Sequence, residues 1–220
     1  MPDKPKPEDI AGGQALIEGV MMRHGNKTAA AVRSPSKEIV FMEQEYIPLT
    51  KRYKILGLMF IRGTITLFEM MFIGIKCLMF SADVALSEEE RKPNSWEMTL
   101  SFIFSFSIAI FFFVVVPAFC FTQMKPFVSN LILLNILEGC VRLGMFLTFL
   151  GSTLLMEDMR RVYMYHGAEH KTVFAWEKGE ELTVDNVKKY STRHPRCGTS
   201  FILFVMIVSI IVFSFLGRPD

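Results

Sequence analysis

The sequence predicts a mainly α-helical membrane protein with about three to four hydrophobic helices, a small N-terminal β-rich unit and a cytoplasmic segment containing His and Cys. Three observations predict it. Of the 220 residues, 51% are apolar, with 21 Phe and 15 Met, at or above the ceiling of a soluble domain. Residues 99–121 carry no charge, and at about 1.5 Å per residue they are long enough to cross a hydrocarbon core of about 30 Å. Three of the four histidines fall in one polar stretch, residues 156–200. The net charge of +2 lacks the basic surplus of a sequence-independent nucleic-acid binder, so no nucleic-acid partner is expected and the lipid bilayer is. Cys77, Cys120 and Cys140 lie in apolar runs, where a thiol acts as a small hydrophobe, and no disulfide framework is implied.

Residues 1–11 are charged and Pro-rich without the apolar core of a signal peptide, and read as a short disordered tail. Residues 12–54 are expected to form the small β-rich unit, because two β-leaning stretches flank Ser34-Pro35-Ser36-Lys37, a turn composition. Gly12-Gly13 reads as a tight turn leading into a strand, since no phosphate-loop ending follows it. Residues 55–80 are apolar enough to span, but Arg62, Glu69 and Lys76 recur every seven residues and share one face. Transmembrane helices are expected over 99–121 and 131–155, the second carrying Asn135, Glu138 and Arg142 on a common face. Residues 201–217 supply a last transmembrane run at the short end for spanning.

Cytoplasmic loops collect Lys and Arg. The basic N-terminal unit and residues 156–200, with Arg160, Arg161, Lys171, Lys188, Lys189, Arg193 and Arg196, are both expected in the cytoplasm. An even number of crossings must then separate them. The simplest solution lays the striped helix 55–80 at the membrane interface or makes it re-entrant.

The densest chemical signal is Tyr165-His166-Gly167-Ala168-Glu169-His170-Lys171. On a helix, His166 and His170 point the same way and can hold one divalent ion, while Glu169 stands where the inverted zinc-protease motif places its general base. Gly167 weakens the helix such a motif requires. His194 and Cys197 follow in a Pro/Gly turn and resemble half a metal site. If His166, His170, His194 and Cys197 all bind, the site is closed and structural. If one stands aside, a position remains for water. Mixed His/Cys ligation favours zinc. His24 is expected to be a turn residue.

The intramembrane polar group Arg62, Glu69, Lys76, Glu138 and Arg142 is either a pathway or a packed ion-pair network, and opposite charges on each stripe favour mutual pairing, such as Glu138 with Arg62 or Arg142 with Glu69.

Taken together, the block from Gly12 to Arg23, the helix from Ile61 to Ala82, and the blocks around His166 and His194 resemble the YqhQ-like family of bacterial membrane proteins, described as predicted metal-dependent enzymes. The family pattern falls on Glu18, Gly19, Met21, Met22 and Arg23, on Arg62 and Gly63, on His166 to Lys171, and on His194 and Arg196 to Ser200. His24 lies outside it. The resemblance implies a multi-pass protein of the bacterial inner membrane and names no substrate. Family members continue beyond the last helix, so a chain ending at Asp220 is expected to be shortened or a short member. Two functions compete: a metal-dependent enzyme acting at the cytoplasmic face, hydrolytic, with Glu169 activating water; or a non-enzymatic factor whose His/Cys clasp is structural and which binds another membrane protein during insertion, translocation or assembly. A transporter is disfavoured by the few helices and the lack of a repeat.

Overall fold

The computed structural model describes residues 11–85 and 95–216. The expected disordered tail, apart from Ala11, and most of the polar break after Ala85 lie outside them. The chain forms two compact units, one from residues 1–91 and 157–194, the other from 92–156 and 195–220.

The first unit is built on a four-stranded antiparallel meander: β1 (Ala11–Leu16), β2 (Gly19–His24), β3 (Lys27–Arg33) and β4 (Ile39–Glu45), in that order across the sheet. The expected turn at 34–37 joins β3 to β4, with Lys37 at positive φ. The Gly12-Gly13 stretch, expected to be a turn, lies inside β1. Its residues pair one to one with β2, from Ala11 opposite His24 to Leu16 opposite Gly19. A strand with so few β-branched residues gives little propensity signal.

Successive strand residues face opposite sides of a sheet, and β1 shows this directly. Gln14 meets α2 (Met59–Ala85), where a Cβ at Gly74 would overlap its amide. Gly13 meets α6 (Glu157–Glu177) on the other side. The sheet therefore lies between two helices. The core is on the α2 side: Leu16, Met21, Ala30 and Val32 pack on Ile73 and Cys77.

α2 begins at Met59 and runs to Ala85, some residues later than expected. Two of its stripe charges, Glu69 and Lys76, are engaged by the sheet unit. Glu69, buried, accepts from the Tyr46 hydroxyl (3.0 Å) and from the backbone N–H of Leu49 (2.5 Å) at the start of the short helix α1 (Leu49–Arg52). Lys76 donates to Gln44 of β4 (3.0 Å), and Arg62 is exposed. These partners differ from the helix-to-helix pairs expected for Glu69. The reason is the sheet: a four-stranded layer, wider than the expected hairpin, covers that face.

In the second unit, α3 (Ser95–Ile110), a π-helical turn at Phe111–Val115 and α4 (Val116–Met124) form one continuous helical run. The π turn ends two residues before Pro117, which has no N–H to donate into the helix. Asn130 caps α5 (Leu131–Thr153) by accepting from Leu133 N–H (3.1 Å). α5 packs against α8 (Gly198–Leu216) through Gly139, where a Cβ would stand 2.6 Å from Ile210. The Asn135 amide donates to the Phe213 carbonyl (3.4 Å). Glu138, buried, pairs with Arg142 of its own helix at 2.6 Å. The fold is thus mainly helical with a small antiparallel sheet. Among the described residues, four helices are long and apolar enough to cross a membrane: Ile61–Ala85, Thr99–Met124, Leu131–Thr153 and Gly198–Phe215.

Candidate metal centre

Helix α6 carries the site. Glu157 and Asp158 in its first turn suit the positive end of the helix dipole, and the helix runs unbroken through Gly167. That glycine has a packing reason: a Cβ there would stand 3.1 Å from Thr192 Cγ2, so the 189–194 segment lies directly on the helix. Lys171 donates to the Lys188 carbonyl (3.2 Å), tying the same segment down beside α7 (Val184–Lys188).

The face of α6 toward the sheet is anchored along its length. Arg161 grips both carboxylate oxygens of Glu18, and Tyr165 adds a hydroxyl donor at 3.3 Å. Glu18 occupies the β1–β2 turn at φ 52°, a conformation costly for a non-glycine residue and common at functional positions. The Arg161 guanidinium holds the Glu18 carboxyl below its ordinary range, against a smaller opposing effect of burial. Further along, Gly13 lets β1 lie on Glu169: a Cβ at Gly13 would be 2.5 Å from Glu169 Cγ and 2.8 Å from Oε1. At the far end, His24 closes β2 with its ring 5.1 Å from Trp176 in an edge contact.

The structure brings His166, Glu169, His170 and His194 together within the first unit. The His166 and His170 rings are 4.2 Å apart between centroids, and His170 and His194 are 5.9 Å apart. Glu169 Oε2 lies 3.8 Å from His166 Nδ1 and 3.5 Å from His170 Nε2. His194 also packs edge-on against Phe174 and has its Nε2 3.5 Å from Glu177. Cys197 belongs to the second unit, where its carbonyl accepts from Phe201 N–H (3.1 Å) at the start of α8.

Protonation follows from the partners. A carbonyl only accepts, so the 2.6 Å contact of His170 Nδ1 with Thr192 O puts a proton on Nδ1. In neutral imidazole, Nε2 then bears the lone pair and faces a carboxylate oxygen. Two acceptors 3.5 Å apart in a buried place need a proton or a metal ion to reconcile them. Burial pushes the Glu169 carboxyl up, opposed by His170 and His194. Burial, with help from His170, pushes His166 and His194 down, toward the neutral form that ligates metals. The residues present therefore fit a divalent cation. His166 and His170, their rings 4.2 Å apart, offer two nitrogen donors on one face of α6, and the Thr192 carbonyl supplies the outer hydrogen bond that fixes a ligating imidazole's tautomer.

Sequence reasoning found the histidines and Glu169. It placed Glu18 in the family pattern without pairing it with Arg161 and Tyr165, and it read Gly12-Gly13 as a turn, where glycine inside a strand marks close backbone approach.

No solved structure matches the chain. Uncharacterized protein YqhQ of Bacillus subtilis (strain 168) is 32% identical over 215 residues, covering 92% of this chain and 68% of the relative, in line with the YqhQ-like resemblance. The family described as Protein of unknown function (DUF1385) matches residues 58–220. The chain thus belongs to the DUF1385 family.

Proposed function

We propose that this protein is a metal-dependent membrane enzyme, hydrolytic toward a membrane-proximal ester, amide or peptide, with zinc held by His166 and His170 and the site completed by Cys197 or His194. The observation that carries the reading is the facing pair on α6: Nε2 of His170 stands 3.5 Å from the buried carboxyl group of Glu169, while its Nδ1 contacts the Thr192 carbonyl at 2.6 Å. Imidazole and thiolate are the ligand types that zinc takes. Cys197 follows His194 by three residues, so a tether of at most about 11 Å joins them. Zinc, when bound, supplies Lewis acidity and lowers the pKa of bound water. Glu169 is the candidate proton acceptor, held in place by β1 at Gly13. His170 is oriented by Thr192.

The Lys- and Arg-rich flanks support placing the N-terminal unit and residues 156–200 in the cytoplasm. One observation favours the structural alternative: Glu169 and His170 are each only 6% exposed, which suits a closed clasp in a factor that binds another membrane protein.

The test is zinc content and hydrolysis of detergent-purified protein. About one zinc per chain is expected in the wild type and in Glu169→Gln, and none in His170→Ala. Glu169→Gln is expected to lose hydrolytic turnover while keeping zinc. Zinc retained by His170→Ala would overturn the site. Unchanged turnover or unchanged cellular function in Glu169→Gln would replace the enzyme with the clasp.

A further inference from the structure

We infer that α2 does not cross the membrane but lies in its plane, docking the sheet unit onto the headgroup and upper acyl region of the bilayer through a stripe of Ile61, Phe68, Phe72, Ile75 and Met79. At about 100° per residue these five fall within an arc of about 60°. Phe68, Phe72, Ile75 and Met79 are each more than half exposed.

The argument is one of length and solvent. Along α2, contacts with the sheet unit begin at Glu69, bonded to Tyr46 and Leu49, and continue through Ile73, Lys76 and Cys77 to Val84. That stretch is about 22 Å of helix. A four-stranded sheet whose outer strands, β1 and β4, have no neighbouring strand among the described residues carries unpaired backbone groups, and open sheet edges do not occur in hydrocarbon. The strands also expose Lys27, Arg33, Glu43 and Glu45. The helix beside the sheet therefore lies outside the hydrocarbon core. What remains, Met59 to Phe68, is about 15 Å, half of a core of about 30 Å. α2 is thus long and apolar enough to span, yet too little of it is free to do so.

The face away from the sheet remains apolar, which suits a helix embedded on one side to about 5–10 Å. Its approach supports the same occupant. Lys51 and Arg52 are exposed just before it, beside the exposed apolar Tyr53, Ile55, Leu58 and Met59, and Arg62 is exposed in its first turn. Cations next to aromatic and aliphatic groups match an anionic lipid surface.

Depth measurement decides it. In a Trp96→Phe, Trp176→Phe background, single tryptophans replace Phe68, Phe72, Ile75 and Met79 in the full chain, reconstituted in phosphatidylethanolamine and phosphatidylglycerol vesicles with lipids brominated at graded depths. The expected result is strongest quenching by the shallow bromines at all four positions, with depths agreeing within about 5 Å. Phe68 and Met79 are about 16 Å apart along the axis, so a spanning helix would separate their depths by nearly that distance and overturn the proposal. Absence of quenching at all four would also overturn it, showing a face covered by protein. Phe68→Trp retains an aromatic ring, and with Met79→Trp it suffices if the other variants fold poorly.

Discussion

The two units solve opposite solvation problems. The sheet unit buries Leu16, Val32, Ile73 and Cys77 and turns Lys27, Glu43 and Glu45 of its strands outward, the arrangement a sheet takes against water. The helical unit buries Asn135, Glu138 and Ser214 and exposes Phe102, Phe104, Phe106 and Phe111, the arrangement lipid demands, where polar groups turn inward. Hydropathy alone does not separate them, because α2 is apolar and belongs to the sheet unit. What separates them is what each helix packs against. Each unit also carries one of the chain's two tryptophans, Trp176 in α6 and Trp96 in α3, so each can be followed by its own fluorescence.

That contrast can be broken most sharply at glycines. A Cβ at Gly19 would overlap the Ala31 carbonyl oxygen and crowd Val32 Cα, backbone atoms that cannot swing aside. Gly19→Ala is expected to destabilise the sheet unit by about 3 kcal/mol, as overpacking does. The change should appear in the thermal transition reported by Trp176 and leave that reported by Trp96 in place. The matched change in the helical unit, Gly144→Ala, meets nothing within 4 Å and should leave both transitions within about 0.5 kcal/mol. Next is Glu69→Ala, which strips the Tyr46 hydroxyl and the Leu49 N–H of their acceptor. An expected loss of about 1–3 kcal/mol, again read by Trp176, would show that this charge fastens the sheet unit. No loss would return Glu69 to the intramembrane network.

A smaller effect is expected at Asn130→Ala, about 1 kcal/mol for a lost N-cap, read by Trp96. The subtlest concerns pH. The Glu18 carboxyl is held below its ordinary value of 4.5 by Arg161, so its contribution to stability is present above that value and fades as pH falls through the lowered one. The sheet unit's melting temperature should drop on acidification below about pH 4.5, and in Glu18→Gln that part of the drop should vanish.

Much of this was legible in the sequence, for physical reasons. Long apolar runs satisfy their backbone as helices, so helices were expected over 99–121 and 131–155, where the structure has a helical run from Ser95 to Met124 and α5 from Leu131 to Thr153. The spacing of His166 and His170 forced a shared face. β1 was not legible, because a strand built from Gly, Gln and Ala gains its stability from α2 and α6, which lie about 50 to 150 residues away. The same non-locality hid Gly13 above Glu169, and it hid the partners of Glu69 and Lys76. Those residues read as intramembrane charges until the sheet supplied their mates.

The central proposal is that His166 and His170 of α6 and Cys197 ahead of α8 hold one metal ion, and cobalt substitution tests it most directly. Co²⁺ added to the purified full chain should give the visible absorption of a tetrahedral site with a thiolate-to-cobalt charge-transfer band, the band lost in Cys197→Ser and all absorption lost in His166→Ala. Absence of any tetrahedral spectrum in the wild type, or a spectrum indifferent to both substitutions, would contradict the account.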